Sequence, residues 1–198
     1  MRAWKTQTPL GADARQPNRR SGEGDVSLTE LNALGVLYQY FPPSDYDRHG
    51  TEAHAQWTHF RQTYGFKYAD MLEVSPGKLG DYEAKLRMFF EEHIHADPEV
   101  RYVVDGSGYF DVRDTDDDWI RIAVEPGDLL VLPAGIFHRF TVDSRNYILA
   151  VRLFADEPQW VPINRPAADQ HPAHLEYMRQ YGREASDPGP DQKAVCVG

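Results

Sequence analysis

The spacing of hydrophobic and polar positions changes character near residue 93. Before it, apolar residues recur three and four positions apart, as on one face of a helix. Leu28, Leu31 and Leu34 form one such side; Ser27 and Glu30 supply a capping box in front of it, and Gly35 can end it. Within residues 49–64, Trp57, Phe60 and Tyr64 share a helical face, and residues 81–90 read as a further helix with Asp81 as its cap. Short strands are predicted around Ala3-Trp4 and over residues 36–41, where Pro42-Pro43 stops the run, with a brief extended piece at 70–74. Residues 5–25 show little periodicity and read as a loop.

From residue 93 onward the pattern predicts strands at 100–104, 109–113, 119–124, 128–132, 138–142 and 147–154. Turn signals separate them: Asp105-Gly106-Ser107-Gly108, an acidic run at 114–118, and Pro126-Gly127. The first is read as a hairpin, with 109–113 running back along 100–104. Short strands at close spacing indicate a barrel or sandwich. The expected fold is therefore mainly β, with several helices mostly in the N-terminal part. A short helix at 173–181 and a linker-like segment at 187–190 follow. The expected organisation is one domain over 1–166, then a partly flexible helix and tail over 167–198.

Composition narrows the function classes. The chain of 198 residues is long enough to bury a real core. Nothing in it approaches the run of about 20 apolar residues that a membrane helix needs, so no membrane insertion is expected. Arg2, Lys5 and their polar neighbours leave no room for an apolar secretory core. Cys196 is the one cysteine, so no internal disulfide forms, which fits a reducing compartment. A formal net charge of −10 repels phosphate backbones and argues against nucleic acid as a partner.

The chemistry concentrates in two stretches. In His93-Ile94-His95 the two-residue strand period puts both imidazoles on one face. Pro98 bars a regular central strand, so residues 96–98 are read as a bend that swings Glu99 back toward the histidines. The second stretch runs from Gly127 through Pro133-Ala134-Gly135 to His138, which a closed barrel would bring opposite the first pair. Three imidazoles and one carboxylate suit a divalent first-row metal. Arg101 shares parity with Glu99 and would point inward, where a guanidinium must be paired with a carboxylate or an anionic substrate. Phe140 shares parity with His138, and Phe89 lies four residues before His93. His49, His54, His59, His171 and His174 show no partner spacing, the last two reading as a solvated helix end. The acidic run 114–118 lacks the pattern of a calcium loop and reads as a hairpin turn.

The two stretches resemble the paired motifs of the cupin superfamily: His-x-His, three residues, Glu, six residues, Gly106, and then Gly127, five residues, Pro-x-Gly, two residues, His138. Arg87 and Val142 stand where those motifs carry glycine and asparagine. Further segments are similar to the acireductone dioxygenase family, eukaryotic type: Met1–Trp4, Leu34–Tyr38, Glu91–His95, Glu99–Tyr102, Gly106–Asp114, Pro133–Phe140, Arg152–Phe154 and Trp160–Pro166. The resemblance implies a cupin β-barrel of methionine salvage and allows both cytoplasmic and nuclear residence; a monomer is expected. His93, His95, Glu99 and His138 would hold one Fe(2+), or alternatively Ni(2+). The partners would be O2 and the acireductone 1,2-dihydroxy-3-keto-5-methylthiopentene. The iron form would yield 4-methylthio-2-oxobutanoate and formate; the nickel form would yield 3-methylthiopropanoate, formate and CO. Arg101 would balance oxyanion charge as a catalytic residue, and Phe140 and Phe89 would contact substrate. Two rival readings remain: another cupin dioxygenase or isomerase with the same ligands, and a non-catalytic metal-cupin that binds proteins.

Overall fold

The computed structural model describes residues 1–8, 11–43, 55–157 and 161–182, with 55 and 56 in backbone only. His49, His54, Cys196 and the segment 187–190 lie outside the described residues. Among the described residues, eleven strands form two antiparallel sheets. One has the order β1 (Arg2–Lys5), β7 (Trp119–Val124), β6 (Gly108–Arg113), β9 (His138–Val142), β4 (His93–Ile94), β11 (Ile163–Asn164). The other has the order β2 (Leu37–Tyr40), β8 (Asp128–Leu132), β5 (Glu99–Gly106), β10 (Ile148–Phe154), β3 (Tyr68–Val74). Their facing surfaces form a jelly-roll barrel, as the strand grammar predicts. Helices α1 (Leu28–Ala33), α2 (Ala55–Thr63), α3 (Tyr82–Phe90) and α4 (Pro172–Tyr181) lie around it.

Strand alternation sorts side chains between two cores. Inward positions such as Val103, Phe110, Ile122, Leu130 and Val142 form the barrel interior. The opposite face of the five-stranded sheet carries Val100, Tyr102, Leu129, Val131, Val151 and Leu153, which pack with Trp57 and Phe60 of α2. This second apolar layer explains why β5 and β8 are hydrophobic on both sides. Tyr64 lies just past the end of α2 and is partly exposed, but its ring packs on Phe60 at 4.7 Å, so the three aromatics share a face as predicted.

The capping box forms as predicted: Ser27 Oγ accepts from the Glu30 N–H, and the Ser27 N–H donates to Glu30 Oε2. Gly35 follows with φ +76°. Asp81, by contrast, is not a side-chain cap. It precedes α3 in the left-handed conformation at φ 53°, and its carboxylate accepts no hydrogen bond from the helix. The predicted hairpin at 105–108 is also corrected. β5 pairs with β8 and β10, whereas β6 pairs with β7 and β9, so the chain crosses there from one sheet to the other. Gly106 makes that crossing possible: φ is +75°, and a Cβ would lie 2.3 Å from the Tyr147 carbonyl oxygen. Pattern and turn residues reveal strands, but not which strand each one pairs with. The acidic run 114–118 does join paired neighbours, β6 and β7.

The loop before α1 is pinned to the outer face of the six-stranded sheet. Arg121 is fully buried there, its Nη1 donating to the carbonyls of Ala14 and Gln16 at 2.9 and 2.5 Å. Its Nε and Nη2 grip Asp111 at 2.7 and 2.8 Å, and Arg139 Nε reaches the same carboxylate at 2.9 Å.

Candidate active site

His93 and His138 are register partners on neighbouring strands, β4 and β9. Their rings lie 4.4 Å apart between centroids, with that of His95 5.0 and 5.3 Å away. β4 is shorter than the sequence implied: it ends at Ile94, so His95 is outside the ladder although it faces the same way. The chain bends at 96–97, and Glu99 opens β5 on the facing sheet. One ring nitrogen from each of the three histidines lies within 4.8 Å of the others.

Backbone carbonyls decide which nitrogens these are. His93 Nδ1 is 2.7 Å from the Glu91 carbonyl, His138 Nδ1 3.0 Å from that of Ile136, and His95 Nδ1 3.3 Å from that of Val161. A carbonyl only accepts, so each Nδ1 carries the proton and each Nε2 keeps its lone pair. His138 Nε2 is buried with no hydrogen-bond partner. Glu99 Oε2 sits 3.2 Å from His95 Nε2 and 3.5 Å from His138 Nε2. Lone pairs aimed at a carboxylate oxygen repel one another in a buried site, and a shared cation reverses the sign of the interaction. The donor set therefore fits a divalent metal, with each imidazole oriented by a carbonyl behind it.

The electrostatics agree. Burial, and after it the neighbouring His138, lowers His93 to about 3, so it stays neutral through the physiological range. Burial works against ionisation of Glu99, yet Arg101 and the adjoining imidazoles hold its carboxyl well below the usual range. Arg101 Nη2 lies 3.1 Å from Glu99 Oε2, and its Nη1 donates to the Val100 carbonyl at 3.0 Å. Burial pulls Arg101 below its ordinary value, opposed by Glu99 and reinforced by Arg152.

These groups line a cavity of about 180 Å³ in the barrel, together with Phe89 and Phe140. The two phenyl rings stand 6.4 Å apart, and Phe110 approaches Phe140 at 4.8 Å. All seven candidates from the sequence thus meet around one cavity. Others were missed. Leu72 and Val74 of β3, and Ile148, Ala150 and Arg152 of β10, complete the apolar wall and its cationic edge. Alternation along β10 would have pointed to its three; β3 joins the wall only by pairing with β10. Arg152 is gripped through both nitrogens by Asp70, at 2.6 and 2.5 Å. His171 and His174 are not a solvated end. His171 caps α4, its Nδ1 accepting from the Ala173 N–H, and His174 packs on Phe137 with Nδ1 2.9 Å from the Gly135 carbonyl.

The model of the ARD/ARD' family matches residues 2–162. The chain belongs to this acireductone dioxygenase family. An acireductone dioxygenase of Branchiostoma floridae is 48% identical over 185 residues, covering 93% of this chain and 99% of that protein. Acireductone dioxygenase 4 of Arabidopsis thaliana is 50% identical over 166 residues, covering 84% and 86%. Among solved structures, acireductone dioxygenase from Bacillus anthracis with a cadmium ion in its active centre superposes with a TM-score of 0.61 at 26% identity, covering 73% of this chain and 94% of that one. The family match spans every candidate site residue, and with it the barrel and the three-histidine metal site take their place as those of a cupin.

Proposed function

We infer that the chain is the acireductone dioxygenase of methionine salvage, acting on acireductone and O2. The observation that carries this is the set of three Nε2 lone pairs and one carboxylate oxygen converging at the wall of an apolar cavity. Among the described residues no helix is long and apolar enough to cross a membrane.

In our reading His93, His95, Glu99 and His138 hold one divalent ion, Fe(2+) by default and Ni(2+) as the alternative. When bound, the ion supplies Lewis acidity and electron exchange between the enediolate and dioxygen. The chain does the rest. Its three neutral imidazoles and one carboxylate leave a dication with net charge +1, which favours an anionic, two-oxygen substrate over water. Arg101, already polarised by Glu99, presents a fixed positive charge beside the substrate oxygens and stabilises negative charge that builds there. Phe140 and Phe89 give the methylthio tail an aromatic surface, a contact that sulfur favours. The apolar wall of Leu72, Val74 and Ile148 keeps water away from the reacting carbons. We take the catalytic unit to be residues 1–166 acting as a monomer, and the single cysteine supports a reducing compartment, cytoplasmic or nuclear.

The test is to strip the metal, reload with Fe(2+) or Ni(2+) separately, supply acireductone with O2, and identify products by mass spectrometry. The iron form is expected to give formate and 4-methylthio-2-oxobutanoate. The nickel form is expected to give formate, CO and 3-methylthiopropanoate. If neither form outpaces free metal in buffer, the assignment of this site fails.

A further inference from the structure

The three histidines are not held in the same way. His93 and His138 each lean on a carbonyl two residues earlier in the chain, Glu91 at the end of α3 and Ile136 in the turn before β9. Those contacts come with the local backbone and with the pairing of β4 to β9. His95 has no such support. It lies beyond the end of β4, and the carbonyl facing its Nδ1 belongs to Val161, 66 positions downstream.

Val161 opens a short strap, 161–165, that crosses the outside of the metal loop. Its strand β11 pairs with β4 at two positions only, Ile163 with Ile94 and Asn164 with His93. Asn164 Nδ2 also donates to the Glu92 carbonyl at 3.1 Å. Ile163 adds apolar packing against the buried cluster of Ile94, Phe137 and Ala168, and the charged attachment of the strap converges on Arg165. That guanidinium reaches Asp117 through Nη1 and Nη2 at 3.1 and 3.0 Å, Asp169 through Nε at 3.1 Å and Glu92 at 3.2 Å. Its plane lies over the Phe137 ring, 4.0 Å from the centroid. Glu92 is itself gripped by Arg113 at 2.8 and 3.1 Å, which ties the latch to the β6–β7 hairpin and to the residue preceding His93.

We infer that Arg165 is a positioning residue for His95. It latches the strap so that the Val161 carbonyl fixes the tautomer and ring direction of this one ligand. His93 and His138 keep their orientation without it. The site is therefore two locally built ligands plus one conditional ligand, set by a distant latch. The inference rests on the metal-site reading above, since it assumes that His95 is a ligand.

The test uses the full chain loaded with Co(2+) and compares wild type, Arg165→Ala, Arg165→Lys and a control, Arg19→Ala, which removes the exposed ion pair to Asp25 near β1, at the opposite edge of the sheet from β11. Paramagnetically shifted Nδ1–H resonances are recorded, with that of His95 assigned by its loss in His95→Gln. The rate of Co(2+) release to a chelator is measured alongside. Arg165→Ala is expected to raise solvent exchange of the His95 Nδ1–H about tenfold or more and to speed metal release about 10- to 100-fold, the usual size of an outer-partner effect. The His93 and His138 signals should stay put, Arg165→Lys should recover part of the loss, and Arg19→Ala should match wild type. If Arg165→Ala leaves His95 exchange and metal release unchanged, or broadens all three signals equally, the inference is overturned. If the wild type shows no shifted His95 signal at all, it is the ligand assignment that fails.

Discussion

Two clusters of buried charge lie on opposite faces of the six-stranded sheet, and they are finished differently. On the outer face Asp111 receives Arg121 and Arg139, and Arg121 spends its remaining donors on the carbonyls of Ala14 and Gln16. Arg139 leaves Nη2 unpartnered but is sandwiched between the Phe90 and Trp119 rings, 4.1 and 4.2 Å from their centroids. Donors meet acceptors, and the result clips a loop onto a sheet. On the inner face acceptors meet acceptors: the Nε2 of His95 and His138 aim at Glu99, and that of His138 has no partner. Only a cation completes that set. The outer network, closed but for one donor stacked between two rings, marks structure, and the open one, with acceptors facing acceptors, marks chemistry.

Disabling the open cluster should produce the largest effect. Glu99→Ala is expected to abolish metal uptake and oxygen consumption together, with kcat/KM falling more than about 1000-fold, equivalent to about 4 kcal/mol in the barrier. Metal analysis and an oxygen electrode check it, and full activity would remove Glu99 from the ligand set.

The closed cluster should answer the same kind of change with stability. Asp111→Ala leaves Arg121 charged and buried without its carboxylate, and is expected to cost about 3–5 kcal/mol in urea unfolding. The activity of the molecules that remain folded should be close to wild type. If catalysis fell and stability held, the contrast drawn above would be reversed.

Acid should strain the open cluster first. The folded value of His93 is about 3, against 6.5 when unfolded, so between these the unfolded chain binds the extra proton and stability declines as pH falls. The penalty fades away above 6.5. The metal-free protein should lose about 2–3 kcal/mol between pH 7 and 4.5 by this route, a loss that His93→Leu should remove. Denaturation curves across that window provide the check.

The smallest expected effect lies at the apolar end of the cavity. Phe140→Ala should raise KM about fivefold for the methylthio substrate, within the range of a sulfur–aromatic contact, with little change for an analogue lacking sulfur. Equal changes for both substrates would mean that Phe140 only fills space.

Much of this was readable along the chain because it depends on near neighbours. The capping box at Ser27 and Glu30 requires three residues of separation, and strand 119–124 follows from alternation and 128–132 from a short unbroken apolar run between turn signals. The shared facing of His93 and His95 and the inward parity of Arg101 come from the two-residue strand period, and the bend before Glu99 comes from Pro98. Asp81 failed as a cap because residue type does not set φ, and its left-handed backbone turns the carboxylate away from the helix N–H groups.

What the sequence by itself determined is the chemical set: three imidazoles, one carboxylate, a guanidinium and aromatic walls, at spacings that belong to one family. What only the tertiary structure decided is how that set is held. The crossing at Gly106 puts β5 and β6 in different sheets, Asp70 grips Arg152 from the edge strand β3, and Val161 reaches back to His95. Each of these joins groups tens of residues apart whose meeting depends on barrel closure. No local energy term in the sequence encodes such a meeting, because the partners become neighbours only after both sheets have paired.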